Sequence, residues 1–537
     1  MAQTIRRGPL GNARTFQRDT ARRNGAEDDA TRRLPCMRRP HTAVMGREGT
    51  QSLLLPETPA GESIDSLLEQ AGGHGRCQWL TTAFGVYLWA VHGGQVMAFV
   101  YIGPAVEAEF AGEAGSDEER WLLRLSGSFF FAGWIAGLGL WGWLGTRHGW
   151  LVSLACMESL VVLGGCLTAM CSGPRTYLLC RVAVGFAEGG VPTAAWGYAS
   201  EFLLPSKKAQ SITALQLGFI FGSLMLALAS SADSWRAQTL GAALFALPIP
   251  FVARYYLPES PRWLLRAGKL EECRAVLRFI AATNRVDGLK LGSMELSEPA
   301  TDGPRPPGSA LSLFTSGPAV RRVTLIVTLQ AFAYTSAYFG LSLHLVSVSN
   351  KGGGSTSDGL VSLLMQVPVV FVAASMLEVL GRRRSLMALL GILAASCAAM
   401  ALLNTPARAQ HHAHAARLNA TLATLGCVVS NGMFSVMYVF SSEVFPTAVR
   451  PVGLATKSQA ARVGAFCAPL VLLLSDTDPR LPFAFWAVFA SIACLSSLWL
   501  PETLGQPSLE SLEDLSVLVA RMRSPALPKP LEDDGAL

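Results

Sequence analysis

The chain has 537 residues, of which half are hydrophobic and only 15% are charged, and its formal net charge is +6. The mean hydropathy of +0.35 is too high for an ordinary soluble protein of this length. These values exclude the common soluble classes, and the chain shows no phosphate-binding loop, catalytic constellation or basic-aromatic surface for nucleic acid. We therefore expect a membrane protein that is not an enzyme and does not bind nucleic acid.

Long apolar segments recur along the chain. A helix needs roughly 20 mostly apolar residues to cross the hydrocarbon core of a bilayer. Segments of about that length occupy residues 80–102, 125–144, 151–170, 177–197, 209–231, 237–257, 322–346, 359–377, 386–403, 418–440, 452–474 and 482–500. The sequence thus predicts an all-α, multi-pass membrane protein with twelve transmembrane helices.

Two related motifs follow the sixth and twelfth segments. Pro258-Glu-Ser-Pro-Arg262 comes directly after the sixth, and Leu500-Pro-Glu-Thr503 closes the twelfth. A duplicated membrane unit is a common way to build a transporter. We predict two pseudo-symmetric six-helix bundles, 63–257 and 322–500, with a linker (258–321) that holds short amphipathic helices. A disordered tail (1–62) and a second tail (501–537) flank them.

Basic residues lie on one side of the predicted membrane. Arginines crowd the first fifty residues, the linker is basic, and Gly381-Arg-Arg-Arg384 follows the eighth segment. If the helices alternate in direction, all of these positions face the same compartment, which the positive-inside rule identifies as the cytosol. Both termini are therefore expected in the cytosol, with the chain in the plasma membrane or in a vesicle membrane.

Several motifs stand at matching ends of the predicted helices. The first motif starts at Arg181 in the fourth segment (181–192). A second lies in the seventh segment (337–342), and a third follows the tenth segment (443–450). Together with Pro258-Glu-Ser-Pro-Arg262, these motifs resemble the major facilitator superfamily. Over residues 63–515 the chain most resembles the branch of organic cation and anion transporters and synaptic vesicle protein-related transporters.

This resemblance implies a secondary carrier that moves small organic ions or polar metabolites by alternating access. It implies a monomer in a lipid bilayer, with a small-molecule substrate, an optional coupling ion and no metal or other cofactor. Two alternatives stay open. One is a transporter-like vesicle or receptor component that no longer transports. The other is a sugar porter, which shares Pro258-Glu-Ser-Pro-Arg262. This alternative is weakened because the paired glutamine and asparagine expected in the seventh segment are absent, and Ala337-Tyr-Phe-Gly-Leu341 stands there instead.

The resemblance also implies charged gating residues at the cytosolic ends of the helices. In the motif that runs from Glu378 to Arg383, Glu378 stands for the usual Asp, whereas the matching position in the first half is Thr146. The clusters are expected to hold the two halves together and to break on opening. The predicted gating residues are Glu201, Arg262, Glu378, Arg382, Arg383, Glu443 and Arg450.

The substrate site is expected near the bilayer midplane, where the first, fourth, seventh and tenth segments meet. The eleventh segment adds one more polar candidate. The predicted substrate-binding residues are His92, Gln95, Arg181, Glu188, Tyr334, Tyr338, His344, Phe434, Tyr438 and Arg462. Gln216 and Gln366 are weaker polar candidates.

The charged candidates leave the substrate class open. A substrate-facing Arg462 would favour anions, whereas Glu188 would favour cations; alternatively, Arg462 forms an ion pair with an acid inside the bundle. Arg181 and Glu188 lie on one helical face and form either a polar wall or a structural ion pair. His92 could take up a proton. As a lone residue it more often forms a structural hydrogen bond, so proton coupling is not supported and facilitated exchange fits equally well.

Overall fold

The computed structural model describes residues 64–111, 116–204, 207–229, 234–286, 310–348, 357–405, 413–447, 449–506 and 509–521. The predictions for the tail 1–62, for the irregular linker segment 299–308 and for the end of the second tail lie outside these residues. Within them the chain forms helices and no strands.

The helices follow the predicted order. The first half contains α1 (Ile64–Gln70), α2 (Arg76–Tyr101), α3 (Gly103–Phe110), α4 (Asp117–Arg124), α5 (Ser126–His148), α6 (Trp150–Ala169), α7 (Pro174–Glu188), α8 (Val191–Glu201), α9 (Lys208–Ala229), α10 (Trp235–Ala246) and α11 (Pro248–Tyr255). The segment between the halves contains α12 (Pro261–Arg266), α13 (Leu270–Thr283) and α14 (Ala310–Thr315). The second half contains α15 (Pro318–Val348), α16 (Ser357–Val379), α17 (Arg382–Leu403), α18 (Ala413–Val444), α19 (Arg450–Leu473) and α20 (Leu481–Ser496), and α21 (Leu512–Arg521) follows.

Among the described residues, ten helices, with α10 and α11 taken as one, are long and apolar enough to cross a membrane. Two predicted spans do not reach this standard: α9, whose apolar part Thr213–Ala229 is short, and the fourth span. Together the twelve segments form two pseudo-symmetric six-helix bundles. Apolar side chains such as Leu364, Met365 and Phe371 of α16 are about half exposed, as expected for a surface that contacts lipid.

The fourth span is not the single helix that hydropathy predicts. It consists of α7 and α8, interrupted at Gly189 and Gly190. Two indole groups of α5 bind carbonyl groups at this interruption: Trp134 Nε1 donates to the Gly189 carbonyl at 3.2 Å, and Trp141 Nε1 donates to that of Phe186 at 2.6 Å. A broken helix is tolerated at membrane depth because such partners satisfy its backbone.

The duplication is visible at the start of the third transmembrane helix of each half, which is α6 in the first half and α17 in the second. Glu259 accepts hydrogen bonds from the backbone N–H groups of the first two residues of α6, both at 3.2 Å. Glu502 accepts from the first two N–H groups of α17 at 2.8 and 3.1 Å. Gly149 (φ +95°) and Gly381 (φ +83°) precede these helices in the left-handed region, where glycine is favoured. We call this end of the bundle, marked by Gly149, Gly381, Glu259 and Glu502, the motif end.

Candidate functional site

A cavity of about 140 Å³ lies between the two halves. Helices α2, α5 and α9 of the first half and α15, α18 and α19 of the second contribute to its wall, and Pro192 of α8 also lines it. The wall is mainly aromatic, with a few hydroxyl, amide and basic groups. Its lining residues are Trp89, His92, Val96, Trp134, Pro192, Gln216, Phe219, Tyr334, Thr335, Tyr338, Phe339, Ser430, Asn431, Phe434, Ser458, Ala461, Arg462 and Ala465.

The structure brings half of the predicted substrate residues to this wall: His92, Tyr334, Tyr338, Phe434 and Arg462. Gln216 lines it as well, whereas Gln366 lies behind it. The Gln366 Oε1 atom accepts from the Tyr338 hydroxyl at 3.2 Å and from the Asn431 amide at 2.9 Å. This amide therefore fixes two lining side chains on α15 and α18.

Arg462 is the guanidinium group of the wall. The side chain is buried, and its Cζ atom lies 5.0 Å from the centre of the Trp134 ring. One Nη atom donates to the Ser458 hydroxyl at 3.0 Å and approaches the Gln459 amide oxygen at 3.5 Å. The Nε atom has no hydrogen-bond partner among the described residues, and none of their carboxylates pairs with Arg462. The alternative of an Arg462–acid pair is therefore wrong for this part of the chain.

Lys457 is a buried cation that the sequence reasoning missed. It precedes Arg462 by five residues on α19, and its ammonium lies over the rings of Tyr438 (5.2 Å) and Phe434 (6.0 Å). The described residues contain no carboxylate partner for it. Both buried cations of α19, Lys457 and Arg462, thus lie against aromatic rings, whose faces attract positive charge. A lysine this close to the end of a span is usually expected to reach the aqueous interface, so no sequence signal marked it as buried.

Glu188 pairs with His92. The Glu188 Oε2 atom lies 2.6 Å from the His92 Nδ1 atom, and both side chains are buried. Neither Arg181 nor Arg462 forms an ion pair with Glu188 among the described residues, so the alternative of a structural Arg181–Glu188 pair does not hold there. Arg181 instead donates to the Gln95 carbonyl at 3.1 Å and lies 4.7 Å from the Phe130 ring centre.

Several predicted substrate residues do not line the cavity. Gln95, Arg181 and Glu188 lie behind its wall. Tyr438 packs edge-on against Trp196, with the ring centres 5.5 Å apart. His344 lines a second cavity of about 560 Å³ at the end opposite the motif end, beside Asn419, whose amide nitrogen is 3.3 Å from its Nε2 atom. Helical spacing alone could not separate these positions from the lining ones.

At the motif end of the first half, Glu201 is the centre of a polar cluster. Its carboxylate accepts from the Ser260 hydroxyl at 2.5 Å and from Arg266 at 3.0 Å. Arg262 donates its Nε–H to the Glu201 carbonyl at 3.2 Å, while its guanidinium pairs with Asp65 of α1.

Glu443 occupies the matching place in the second half. It accepts two hydrogen bonds from Arg382, at 3.0 and 2.8 Å, and one from the Thr503 hydroxyl at 2.6 Å. Arg450 donates to the Phe445 carbonyl at 3.0 Å. The backbone N–H of Arg383 binds Glu502, and Glu378 is exposed.

These clusters do not join the two halves. Within the described residues, each cluster draws its charged partners from its own half or from the helices attached to it, so the expectation that they hold the halves together is wrong for this conformation. Polar contacts between the halves occur toward the opposite end. There Arg124 makes a bidentate ion pair with the carboxylate of Asp476, at 2.7 and 3.0 Å. The Ser128 hydroxyl also donates to the Phe466 carbonyl at 2.7 Å.

Comparison with known proteins agrees with this architecture. The chain is 29% identical over 401 residues to human solute carrier family 22 member 13, covering 74% of this chain and 70% of that one. It is 29% identical to rabbit organic anion transporter 3 (73% and 71% covered) and 27% identical to a Drosophila melanogaster organic cation transporter protein (73% and 71%).

Solved structures share the fold. The proton:xylose symporter XylE superposes with a TM-score of 0.62 at 21% identity, covering 82% of this chain and 98% of that one. The inward-open form of XylE from E. coli gives a TM-score of 0.61 at 16% identity, with 82% and 99% covered. The profile of the family described as "Sugar (and other) transporter" matches residues 79–515. The predicted resemblance is thereby confirmed, and the chain belongs to this family of major facilitator transporters.

Proposed function

We propose that this protein carries small organic anions across a membrane by alternating access, and that Arg462 holds the charge of the substrate. The relatives include organic anion and organic cation transporters, which supports an organic ion as cargo. The observation that carries the choice of an anion is the buried guanidinium of Arg462 in the cavity wall, without a carboxylate partner among the described residues.

The charges near the cavity favour an anion. A desolvated cation without a counter-charge is costly inside a membrane protein, and an anionic substrate would offset that cost. An organic cation would add to it, because Lys457 carries the same charge one helical turn and a half away. Glu188 does not compensate for either cation, because its carboxylate is engaged with His92.

The size and composition of the cavity favour a small aromatic acid. Trp89, Trp134, Phe219, Tyr334 and Phe434 surround a volume of about 140 Å³, which suits a single ring with a carboxylate. Aromatic walls bind a planar apolar body, while a few polar groups orient it. Arg462 then supplies a positive charge in the wall of a mainly aromatic cavity.

The charged residues at the motif end serve gating in this proposal. Glu201, Arg262, Glu378, Arg382, Arg383, Glu443 and Arg450 stabilise the ends of helices that must move when the cavity opens toward the cytosol. The arginine-rich distribution supports a cytosolic motif end and cytosolic termini. We propose a monomer in the plasma membrane or in a vesicle membrane.

Uptake into proteoliposomes tests this function. Purified full-length protein is reconstituted, and uptake of labelled benzoate, tetraethylammonium and xylose is compared for wild type, Arg462→Ala and Arg480→Ala. Arg480 is an exposed arginine whose partner is Asp478, two residues away, so it controls for the loss of an arginine as such. We expect benzoate uptake at least about tenfold above empty liposomes, lost in Arg462→Ala and retained in Arg480→Ala.

The other outcomes identify the competing functions. Uptake of tetraethylammonium in place of benzoate would contradict the anion assignment. Xylose uptake that is insensitive to Arg462→Ala would indicate a sugar porter. Correctly folded protein that transports none of the three compounds would favour a component without transport activity.

A further inference from the structure

We propose that Glu158, Glu188 and His92 form a proton-binding site in the first half, and that a proton bound there travels with the substrate. The coupling part of this inference rests on the anionic substrate proposed above. The site itself follows from burial and geometry. On the sequence alone His92 is a lone histidine, whereas in the structure it contacts a buried carboxylate.

The carboxyl group of Glu158 is buried inside the first half without a hydrogen-bond partner among the described residues. Glu158 lies near the middle of α6, and its side chain is fully buried. An ionised carboxylate in such a place costs far more than a protonated one, because nothing replaces its lost hydration. Intramembrane acids are also rare and generally mark ion or proton pathways. Glu158 is therefore expected to hold a proton in the resting protein.

A second carboxyl group lies beside it. Helix α6 packs against α7, and Glu188 of α7 is within electrostatic range of Glu158. Glu188 is fully buried, and its Oε1 atom also lacks a partner, whereas its Oε2 atom meets His92 of α2. Among the described residues, the other titratable groups within electrostatic range of the pair are Tyr87 of α2, near Glu158, and Arg181 of α7, near Glu188. Two desolvated carboxylates within electrostatic range of each other do not both ionise readily, so we expect at least one of them to be protonated.

His92 connects this pair with the substrate cavity. Its ring lines the cavity and lies 5.0 Å from the Trp134 ring, which also carries the guanidinium of Arg462 at 5.0 Å. A hydronium ion in the cavity can protonate Nε2 and leave as water, while the proton already on Nδ1 passes to Oε2 of Glu188. The imidazole is neutral before and after this transfer, and one carboxylate becomes neutral. Each proton added to the cluster raises the positive potential next to Arg462.

The potential couples the proton to the anion. An added positive charge strengthens anion binding, and by reciprocity a bound anion strengthens proton binding by the same factor. The two ligands therefore bind together and cross together, which is proton–anion symport. The cluster also adjoins the break in the fourth span: Glu188 directly precedes Gly189, and Met157, next to Glu158, lies against Gly190. Protonation of Glu158 or Glu188 thus changes the charge next to the interruption of the fourth span, where this span can bend.

Infrared difference spectroscopy tests the site without any substrate. A protonated, buried carboxylic acid has a carbonyl stretching band that a carboxylate lacks. We expect this band in the wild-type protein at neutral pH and a clear loss of it in Glu158→Gln. Glu118→Gln, a neutralisation of an exposed acid on α4, should leave the band unchanged. A wild-type spectrum without the band, or an equal band in Glu158→Gln, would overturn the proton site.

Calorimetric binding of benzoate tests the coupling. Between pH 6 and pH 8.5 benzoate stays ionised, so any linked proton must come onto the protein. We expect the wild-type Kd to weaken with rising pH as the free protein loses the proton of the cluster, approaching about tenfold per pH unit for one linked proton. Glu158→Gln and Glu188→Gln should flatten this dependence, and Glu118→Gln should not.

The outcomes separate the two proposals. A wild-type Kd that does not change with pH would overturn the coupling, while the anion carrier would stand. A wild-type pH dependence that survives in both carboxyl variants would also overturn it, and would assign the proton to another group such as Lys457. Absence of benzoate binding at every pH would refute the proposed substrate instead, and the infrared band would then decide the proton site by itself.

Discussion

The two halves of this protein are alike at the motif end and unlike in their interiors. In each half a glutamate of the Pro-Glu-Ser/Thr motif binds the first N–H groups of the third helix, and the next residue, Ser260 or Thr503, donates to a second glutamate, Glu201 or Glu443. The first set of contacts satisfies backbone N–H groups at the start of the helix, which have no partner within the helix itself.

The interiors differ in their ionisable groups. The first half holds the buried carboxyl groups of Glu158 and Glu188 together with Arg181, whereas the second holds the cations of Lys457 and Arg462 on α19 and no buried carboxyl group among the described residues. The repeated contacts build the frame, while the interior of each copy is free to take a different chemistry. We therefore assign the proton to the first half and the substrate charge to the second.

At the motif end, the two halves are expected to differ most in how strongly turnover depends on the arginine that pairs with the glutamate, Arg382 or Arg266. Arg382 is mostly buried and binds Glu443 with two hydrogen bonds, whereas Arg266 is 60% exposed and gives Glu201 one. We expect Arg382→Ala to slow benzoate turnover by about tenfold or more, because it leaves a half-buried carboxylate without its cation. Arg266→Ala should change it by less than about twofold, because exposed pairs contribute little. If both variants slowed benzoate turnover in proteoliposomes equally, the clusters around Glu201 and Glu443 would be equivalent.

The glycines before the third helices should behave alike. An added Cβ at Gly149 or Gly381 would meet the carboxylate of Glu259 or Glu502, and both glycines have positive φ angles. We expect each Gly→Ala change to destabilise the protein by about 1–2 kcal/mol. The measurement is thermal unfolding in detergent. Gly391→Ala, within α17 and with only one atom close to the added Cβ, is the control and should be nearly neutral. A loss confined to one half would break the symmetry argument.

Neutralising Glu443 should affect turnover more than binding. Glu443→Gln keeps the shape of the side chain but weakens its hold on Arg382, so the balance between conformations shifts. We expect benzoate turnover to fall by about fivefold, which corresponds to about 1 kcal/mol, with Kd changed by less than about twofold. Uptake and calorimetry on the same preparation give both values. Loss of binding in a folded variant would show that Glu443 is not a gating residue.

The smallest effect is expected at the opposite end. Arg124 and Asp476 join the two halves, but their side chains are 34% and 56% exposed. Arg124→Ala should favour opening at this end by no more than about 1 kcal/mol, and high salt should mimic part of the change in wild type. Labelling of a cysteine introduced into the cavity from that side measures the opening. Labelling that is the same in Arg124→Ala and wild type would show that the pair does not hold the halves together.

Hydropathy and motif order were enough to predict the twelve-segment fold, since both depend on local sequence. The fourth span shows the limit. Its apolar length predicted one helix, although Gly189, Gly190 and Pro192 are residues that often interrupt helices. Hydropathy averages over a window and does not register an interruption of two residues.

The site was predicted only in part. Tyr334, Tyr338 and Arg462, which the sequence predicts to bind substrate, line the cavity, whereas Lys457 and Glu158 were not among the predicted residues. Helices in a bilayer are apolar on every side, so the amphipathic pattern that reveals the inner face of a soluble helix is weak. Without it, the sequence could not tell that Glu158 lies within electrostatic range of Glu188, or that Tyr438 packs against Trp196 and does not line the cavity.

The most direct test of the central claim, that Arg462 holds the substrate charge, compares benzoate with the neutral isostere benzamide. Their affinities are measured by calorimetry for wild type and for Arg462→Ala. A charge-assisted hydrogen bond contributes about 1.5–3 kcal/mol, so wild type should prefer benzoate by roughly 10- to 100-fold, and Arg462→Ala should bind the two compounds about equally. An undiminished preference for benzoate in Arg462→Ala would contradict the account.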